Sequence, residues 1–206
     1  MTEPLRYDHL RSTYPRREPL RAIVLHWTAG IGPPAQVYAT LRGRTGPHTP
    51  DGLSIHYTVG VDGEVVQMAS TKLVCLHAGI ANKWSIGIEV VSPGFPGDVR
   101  EKERSHGVAR DEYTDSLRGR SVTMLDYTAA QTVAVERLVE KLCDETGVAR
   151  AVPLDTDGSL LRRTMDESEL AHFHGVMGHY HCHETKADCG TRPLERLRLK
   201  WSRPNC

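Results

Sequence analysis

AIVLHW, at residues 22–27, is a short run of apolar and β-branched residues that ends at a loop containing Gly30 and Pro33. Apolar runs of about four to eight residues bounded by glycine or proline are typical of buried strands. Side chains alternate along a strand, so Val24 and His26 share one face. The run therefore predicts a buried strand that places a histidine where the strand passes into a loop.

Three further segments predict strands. SIHYTVGVDGEVVQM (54–68) has two alternating halves around Asp62-Gly63, which is the pattern of a β-hairpin with a tight turn. SIGIEVV (85–91) is another apolar strand, and FHGVMGHYH (173–181) predicts a last short one. Together with residues 22–27, these segments predict a central sheet.

The clearest predicted helix is YTAAQTVAVERLVEKLCDETG (127–147), with Thr128 as N-cap and Gly147 as C-cap. Its apolar residues repeat at helical spacing, at Val135, Leu138, Val139 and Leu142. Shorter helices are predicted for AQVYATLRG (35–43) and PLERLRLKW (193–201). In the last of these, the residues expected to face inward are Leu194, Leu197 and Trp201. Strands alternating with helices indicate a single α/β domain with a central mixed β-sheet flanked by helices.

The composition is that of one globular domain, with 206 residues of which 39% are hydrophobic. Lys plus Arg equals Asp plus Glu, at 26 each, so no overall charge favours a nucleic acid as partner. We interpret residues 1–21 as an N-terminal basic arm and residues 22–206 as the functional domain. Basic residues are concentrated at both ends, at Arg6, Arg11, Arg16, Arg17 and Arg21 and at Arg192, Arg196, Arg198, Lys200 and Arg203. Solvated faces are the favoured explanation of these runs, and weak attraction to an anionic polymer is the alternative.

No apolar run approaches the roughly 20 residues of a membrane span, and the N-terminus lacks the apolar core of a signal peptide. We therefore expect a protein that is cytoplasmic as synthesised and reaches any extracellular substrate by another route. We also expect a monomer. The cysteines are odd in number and form no C-x-x-C pair, which argues against a disulfide framework. They are Cys75, Cys143, Cys182, Cys189 and Cys206.

Residues 92–121 are polar, contain proline, glycine and charges of both signs, and show no helical or strand period. A stretch of this length inside a compact domain is usually functional or mobile. We predict that this polar insertion forms a loop or short elements beside a functional groove and contributes to substrate binding.

Histidine is unusually frequent, with 11 residues, and five of them fall between residues 172 and 183. Taken singly, a histidine is more commonly a surface or hydrogen-bonded core residue than a ligand. Asp188 and Cys189 follow this cluster closely, and zinc binds imidazole, carboxylate and thiolate groups. A catalytic zinc needs three protein ligands, and His26 fits as the one from an early strand end.

Four separated motifs occur in one order along the chain. They are IVLHWTAG (23–30), IHYTVGVDGEVVQM (55–68), HAGIANKWSIGIEVV (77–91) and GVMGHYHCHETKADCG (175–190). In this order they resemble the zinc-dependent N-acetylmuramoyl-L-alanine amidases, which include peptidoglycan-recycling amidases, amidase-type phage lysozymes and peptidoglycan recognition proteins. The resemblance covers roughly residues 22 to 195. It implies a central mixed sheet with a zinc groove at one edge, in agreement with the α/β prediction.

For the metal, the resemblance implies one Zn²⁺ ion bound by His26, His179 and Asp188. A proline usually follows the last ligand in this family, and here Cys189 stands in its place, so Cys189 is an alternative to Asp188. We prefer Asp188, with Cys189 pointing into the body of the protein. Two histidines of the H-Y-H-C-H run remain alternatives to His179, namely His181 and His183.

For the chemistry, the resemblance implies that Glu89 lies beside the metal-bound water and that Lys186 faces the scissile carbonyl oxygen. It also implies that His77 and Asn82, in H-A-G-I-A-N, line the substrate groove. Some members place a tyrosine before the H-[FY] pair of the hairpin strand, where this chain has Ile55. The chain therefore resembles the glutamate-using branch of the family.

The implied function is hydrolysis of the amide bond between N-acetylmuramic acid and L-alanine, in peptidoglycan or in soluble muropeptides. Zinc would activate water, Glu89 would act as the base, and Lys186 would stabilise the oxyanion. One alternative is a non-catalytic peptidoglycan-binding module on the same fold. Another is a thiol hydrolase using Cys75 or Cys189, although neither lies in a recognisable nucleophile motif.

Overall fold

The computed structural model describes residues 5–6 and 13–202. Its strands are β1 (Leu5–Arg6), β2 (Thr13–Pro15), β3 (Ala22–Trp27), β4 (Tyr57–Val59), β5 (Val65–Gln67), β6 (Leu73–Cys75), β7 (Ser85–Val90), β8 (Glu112–Leu117), β9 (Arg120–Leu125) and β10 (Gly175–Gly178). Its helices are α1 (Pro34–Gly43), a 3₁₀ helix (Gly79–Trp84), α2 (Asp98–Ser105), α3 (Ala129–Thr146), α4 (Glu167–His172), α5 (His179–Cys182) and α6 (Arg192–Trp201). Arg11 of the predicted basic arm lies outside the described residues, as do Arg203 and Cys206.

Six of the strands form one mixed sheet in the order β1-β5-β4-β7-β3-β10. The antiparallel pair β4–β5 is the hairpin predicted around Asp62-Gly63, and the other neighbours in the sheet are parallel. Parallel neighbours need crossover connections, and helices in those connections cover the faces of the sheet. The predicted single-domain α/β fold with a central mixed sheet flanked by helices is confirmed.

Strand β3 lies inside the sheet, between β7 and β10, and all six of its residues are buried. Ile23 and Leu25 pack in the core formed with α3 and α6. Val24 packs on the opposite face, in a cluster that includes Trp84. His26 therefore follows Val24 on that second face, as the alternation of the sequence predicts.

Helix α3 begins and ends where the sequence predicts. Thr128 Oγ1 accepts from Gln131 N at 3.1 Å, and Gln131 Oε1 accepts from Thr128 N at 3.2 Å, which is a capping box. At the other end, Gly147 has φ 74°, a left-handed conformation that glycine adopts at little cost. Most of the predicted inward residues of α3 and α6 are buried, at Val135, Leu138, Val139, Leu142, Leu194 and Leu197. Trp201 is only partly buried and packs against the edge of the same core.

The polar insertion contains α2 and most of the β8–β9 hairpin. Arg110 attaches it to the rest of the domain, since its Nη2 donates to Val91 O at 2.8 Å and its Nη1 donates to Gln131 Oε1 at 2.7 Å. The same guanidinium pairs with the buried carboxylate of Glu103 at 2.9 Å. Removing one partner of such a buried pair would leave an uncompensated charge, so the pair links α2 to the segment that contacts Val91 and Gln131.

Residues 13–21 also pack against the domain. β2 pairs with β6 in antiparallel fashion, and Arg16 is half-buried beside them. Its guanidinium donates to Leu73 O at 2.7 Å and to Ser85 O at 2.9 Å. Arg16 therefore differs from the solvated arginine expected of an arm, because it binds the backbone at the first residues of β6 and β7.

Within residues 13–202, no helix is both long and apolar enough to cross a membrane. The four described cysteines are free thiols. Burial raises the pKa of Cys75 to about 12 and that of Cys182 to about 12. These thiols are therefore protonated at neutral pH, and the thiolate is the nucleophilic form of cysteine.

Candidate metal centre

The ends of two neighbouring parallel strands bring metal-binding side chains together. His26 is the fifth residue of β3, and His179 begins α5 directly after β10. Leu25 of β3 pairs with Gly178 of β10, and the next residues along the two segments are His26 and His179. Asp188, from the segment before α6, reaches the same place. The carboxyl ends of parallel strands are where open α/β sheets bind ligands.

The ligand atoms of these side chains are close together. His26 Nδ1 lies 3.1 Å from His179 Nδ1 and 3.0 Å from Asp188 Oδ2, and His179 Nδ1 lies 2.9 Å from Asp188 Oδ2. The ligands of a tetrahedral zinc, at about 2.0–2.1 Å from the ion, are about 3.3 Å apart. Two imidazoles and one carboxylate also match the three-ligand set of catalytic zinc sites. The residues present therefore fit one zinc ion.

The surroundings favour the forms of these groups that bind a cation. Burial is the main cause that lowers the pKa of His26 to about 4, and the neighbouring His179 adds to it. Burial acts to raise the pKa of Asp188, but its hydrogen bonds with His179 and His26 outweigh this and hold the pKa well below its ordinary value. A neutral imidazole and an ionised carboxylate are the protonation states that metal binding requires.

Glu89 lies directly opposite His26 where β7 pairs with β3. Its Oε2 is buried and has no hydrogen-bond partner among the described residues, and the same is true of Oγ1 of Thr58, which lies opposite Glu89 on β4. Burial, with a contribution from Asp188, raises the pKa of Glu89 to about 8. A divalent cation at the three ligands would act in the other direction, since a positive charge favours the carboxylate. Such a carboxyl is suited to exchange a proton near neutral pH.

Lys186 is exposed, in the turn that precedes Asp188. Its backbone N–H donates to His183 O at 3.1 Å. Burial is the main cause of the shifted pKa values of His26 and Glu89, and the positive charge of Lys186 adds to the lowering at His26 and partly opposes the rise at Glu89. Its ammonium group therefore lies within electrostatic reach of the cluster, on a side chain that a ligand in solution can contact.

The alternative ligands lie outside this cluster. Both ring nitrogens of His181 contact the backbone, at 3.1 Å from Gly178 N and 2.9 Å from Leu161 O. His183 is exposed. Cys189 is 1% exposed and packs in the main apolar core. The structure therefore brings His179 and not these side chains to the cluster, and the binding of zinc there stays a prediction.

His77 lies against the ring of His26. Its Nδ1 is 3.0 Å from His26 Nε2, the ring nitrogen that does not face Asp188. Asn82 Oδ1 accepts from the backbone N–H groups of His77, at 2.9 Å, and of Ala78, at 2.6 Å. The structure thus places both residues beside a candidate ligand, while their predicted contact with substrate stays a prediction.

An open cavity of about 830 Å³ adjoins Glu89. The loop 28–33 and α1 form one side of it, and α2 of the polar insertion forms the other. Charged side chains of both signs line it, at Arg44, Asp98, Lys102 and Glu103. Ligand-binding clefts commonly have volumes of about 300–1,000 Å³. The insertion therefore borders a cavity of suitable size beside Glu89, and its predicted contribution to substrate binding stays a prediction.

Ser85 and Gly87 share a face of β7 with Glu89 and were not predicted as site residues. Ser85 Oγ lies 3.4 Å from His77 Nε2. A Cβ atom on Gly87 would lie 2.7 Å from Nδ1 of His77, so this glycine leaves room for the imidazole. The alternation in S-I-G-I-E contained the signal, because positions i, i+2 and i+4 of a strand face the same side.

Solved structures of similar fold cover nearly the whole chain. The endolysin LysCS from Clostridium intestinale URNW aligns with a TM-score of 0.61 and 13% identity, over 99% of this chain and 98% of that one. A selenomethionine derivative of AmpD aligns with a TM-score of 0.56 and 19% identity, over 96% and 95%. AmiD from E. coli, in complex with an anhydro-N-acetylmuramic acid peptide, aligns with a TM-score of 0.51 and 17% identity, over 90% of this chain and 61% of that one.

Identities this low establish a shared fold and no more. Among proteins of curated function, none matched the chain by sequence. A family model described as N-acetylmuramoyl-L-alanine amidase, however, matches residues 16–191, which contain the cluster, Glu89 and Lys186. The chain therefore belongs to the N-acetylmuramoyl-L-alanine amidase family.

Proposed function

We propose that this protein is a zinc-dependent amidase that hydrolyses the bond between N-acetylmuramic acid and L-alanine in peptidoglycan. The observation that carries the proposal is the convergence of His26, His179 and Asp188 beside Glu89 in a chain of this family. AmiD, a protein of similar fold, was solved with a muramyl peptide as its substrate, which supports the same substrate class here.

In the attack of water on the amide, the metal would activate the water and Glu89 would carry its proton. When bound by the three ligands, zinc supplies a Lewis acid that lowers the pKa of water from about 15.7 to about 7. Glu89 accepts the proton that the attacking water loses and returns it to the alanine nitrogen as the C–N bond breaks. Its position opposite His26 and its unpartnered Oε2 suit this transfer.

Lys186 contributes positive charge at the carbonyl oxygen, where negative charge develops during attack. An ammonium group there stabilises the transition state more than the substrate, and this difference is what accelerates a reaction. The exposed position of Lys186 lets it meet the substrate from the solvent side. The groove between α1 and α2 then holds the rest of the glycopeptide beside Glu89.

The buried thiols argue against the thiol-hydrolase alternative. The pKa of Cys75 is raised by burial to about 12, and burial also raises the pKa of Cys189 well above its ordinary value. Neither sulfur is exposed to a substrate. The non-catalytic binding module on the same fold remains the alternative that an experiment must separate from the amidase.

Digestion of purified sacculi and of soluble muropeptides in parallel, followed by mass spectrometry, tests the proposal. We expect peptides with a new L-alanine amino terminus and glycans with unsubstituted muramic acid. Chelation should abolish product formation, and added zinc should restore it. Binding of sacculi without any product from zinc-loaded protein would instead establish the binding module.

A further inference from the structure

A chain of hydrogen bonds runs from Ser85 through His77 to Nε2 of the candidate zinc ligand His26. This serine is fully buried, and its Oγ lies 2.6 Å from Ala81 O. A carbonyl oxygen can only accept, so the hydroxyl proton of Ser85 points to Ala81. The hydroxyl oxygen therefore offers lone pairs to His77 Nε2, 3.4 Å away, and that nitrogen is the donor.

The position of the proton on His77 sets the direction of its hydrogen bond with His26. No carboxylate hydrogen-bonds to the His77 ring among the described contacts, so burial favours the neutral imidazole, which has a single N–H. With that proton on Nε2, the Nδ1 of His77 can only accept. It lies 3.0 Å from His26 Nε2, which must then donate.

We infer that Ser85 and His77 form a relay that favours the metal-binding tautomer of His26, and that His77 is a positioning residue for this metal ligand. Asp188 lies 3.0 Å from Nδ1 of His26 and competes for the proton when no metal is bound, whereas a cation at Nδ1 requires the proton on Nε2, where His77 accepts it. The inference rests on the proposed metal site, where the relay stabilises the tautomer whose Nδ1 is free for a cation.

The surrounding residues hold His77 in place for this purpose. Asn82 accepts from the backbone N–H of His77 at 2.9 Å, which fixes the start of its side chain. On the other side, a Cβ at Gly87 would lie 2.7 Å from Nδ1 and 2.8 Å from Cγ of the imidazole. Any other residue at position 87 would therefore push His77 away from His26.

The relay has a consequence for metal affinity. Without an acceptor at Nε2, His26 would divide its population between two tautomers, and one of them carries a proton on the nitrogen that faces the metal. A ligand must be unprotonated to bind, so that fraction is lost. Groups that hydrogen-bond a ligating histidine typically contribute about 10–100-fold to metal affinity.

Nuclear magnetic resonance of zinc-loaded protein labelled with ¹⁵N-histidine tests the tautomers directly. We expect both His77 and His26 to carry their proton on Nε2, with His77→Asn used to assign the signals. A proton on Nδ1 of His77 would overturn the relay. This measurement needs no enzymatic activity, so a lack of amidase activity in the zinc-loaded protein leaves its result intact.

Zinc affinity, measured by competition with a chromogenic chelator, tests the positioning role. We expect His77→Ala to weaken zinc binding by about 10–100-fold, and Ser85→Ala to weaken it by less. His77→Asn places an acceptor oxygen near the position of Nδ1 and should recover most of the affinity. His172→Ala, an exposed histidine outside the relay, should bind zinc like the wild type.

Two results would refute the positioning role. One is a folded His77→Ala protein, verified by circular dichroism, that binds zinc as tightly as the wild type. The other is a His77→Asn protein that is no better than His77→Ala, since a purely structural defect would not be rescued by an acceptor. A wild type that binds no zinc would overturn both the proposed function and the relay, whereas a wild type that binds zinc with the His77 proton on Nδ1 would overturn the relay alone.

Discussion

Replacing Glu89 with glutamine tests its role in proton transfer independently of metal binding. Glutamine keeps the size of the side chain and removes its ionisation. Glu89 is not one of the three converging ligands, so zinc content should be unchanged. Because a positioned acid–base group typically contributes about 10²–10⁴-fold, we expect kcat to fall by that factor.

The same substitution has a stability effect whose sign and size follow from the burial of Glu89. Its pKa rises from 4.5 to about 8 in the folded chain. A folded pKa above the unfolded one means that the stabilisation from the bound proton is complete below about pH 4.5 and is lost as the pH rises through 8. At about 1.4 kcal/mol per pKa unit the full effect would be roughly 5 kcal/mol. Solvent reaches part of the side chain, so we expect about half of this, or roughly 2.5 kcal/mol.

Urea unfolding of wild type and Glu89→Gln at pH 5, 7 and 8.5, in the presence of a chelator, measures this effect. Relative to the variant, the wild type should lose about 2 kcal/mol of unfolding free energy across that range. Saturating zinc should reduce the difference, because the cation stabilises the carboxylate. Parallel pH curves for the two proteins under chelation would refute the desolvation of Glu89. Turnover close to wild type in Glu89→Gln would show that another group carries the proton.

The remaining predictions concern the metal, the groove and the fold. Asp188→Ala should contain no zinc when measured by elemental analysis, whereas Cys189→Ala should keep zinc and most activity. A sulfur ligand to the metal, detected by X-ray absorption, would contradict this. Lys102→Ala, in the groove wall formed by α2, should raise KM for intact sacculi more than for a small muramyl peptide, with kcat unchanged; equal effects on both substrates would exclude a role in binding the polymer. Thr128→Ala removes the N-cap of α3 and should lower the unfolding free energy by about 1 kcal/mol without changing kcat, as thermal unfolding would measure.

Local sequence patterns predicted the elements whose structure is set locally. The hairpin at Asp62-Gly63 and helix α3 follow from a turn pair and from caps at Thr128 and Gly147, each acting within a few residues. The order of strands in the sheet depends on contacts between distant segments, and a single sequence contains no such pairing. The position of Arg16 was missed for the same reason, because its acceptors lie about 57 and 69 residues further along the chain.

The choice among the late histidines also needed three-dimensional information. His179 and His181 are two residues apart, and an extended segment would put both on one face. The chain instead begins α5 at His179, which turns His181 towards Gly178 and Leu161. Spacing alone left both as candidates, and the change from strand to helix at Gly178 separates them.

Strand β7 shows how the packing of the fold protects the proposed chemistry. Ile86, Ile88 and Val90 pack in the main core, so their alternates Ser85, Gly87 and Glu89 are directed to the opposite face. A slip of one residue in the pairing of β7 with β3 would reverse both sets. It would place a carboxyl group in the apolar core and move the apolar side chains out of it, and each change opposes folding. The alternation that buries the isoleucines therefore also directs Glu89 to the face of His26, and the observed register sets the two residues opposite each other, with Gly87 and Ser85 in line to receive His77. Selection for a stable core and selection for the site act on this strand through one and the same alternation.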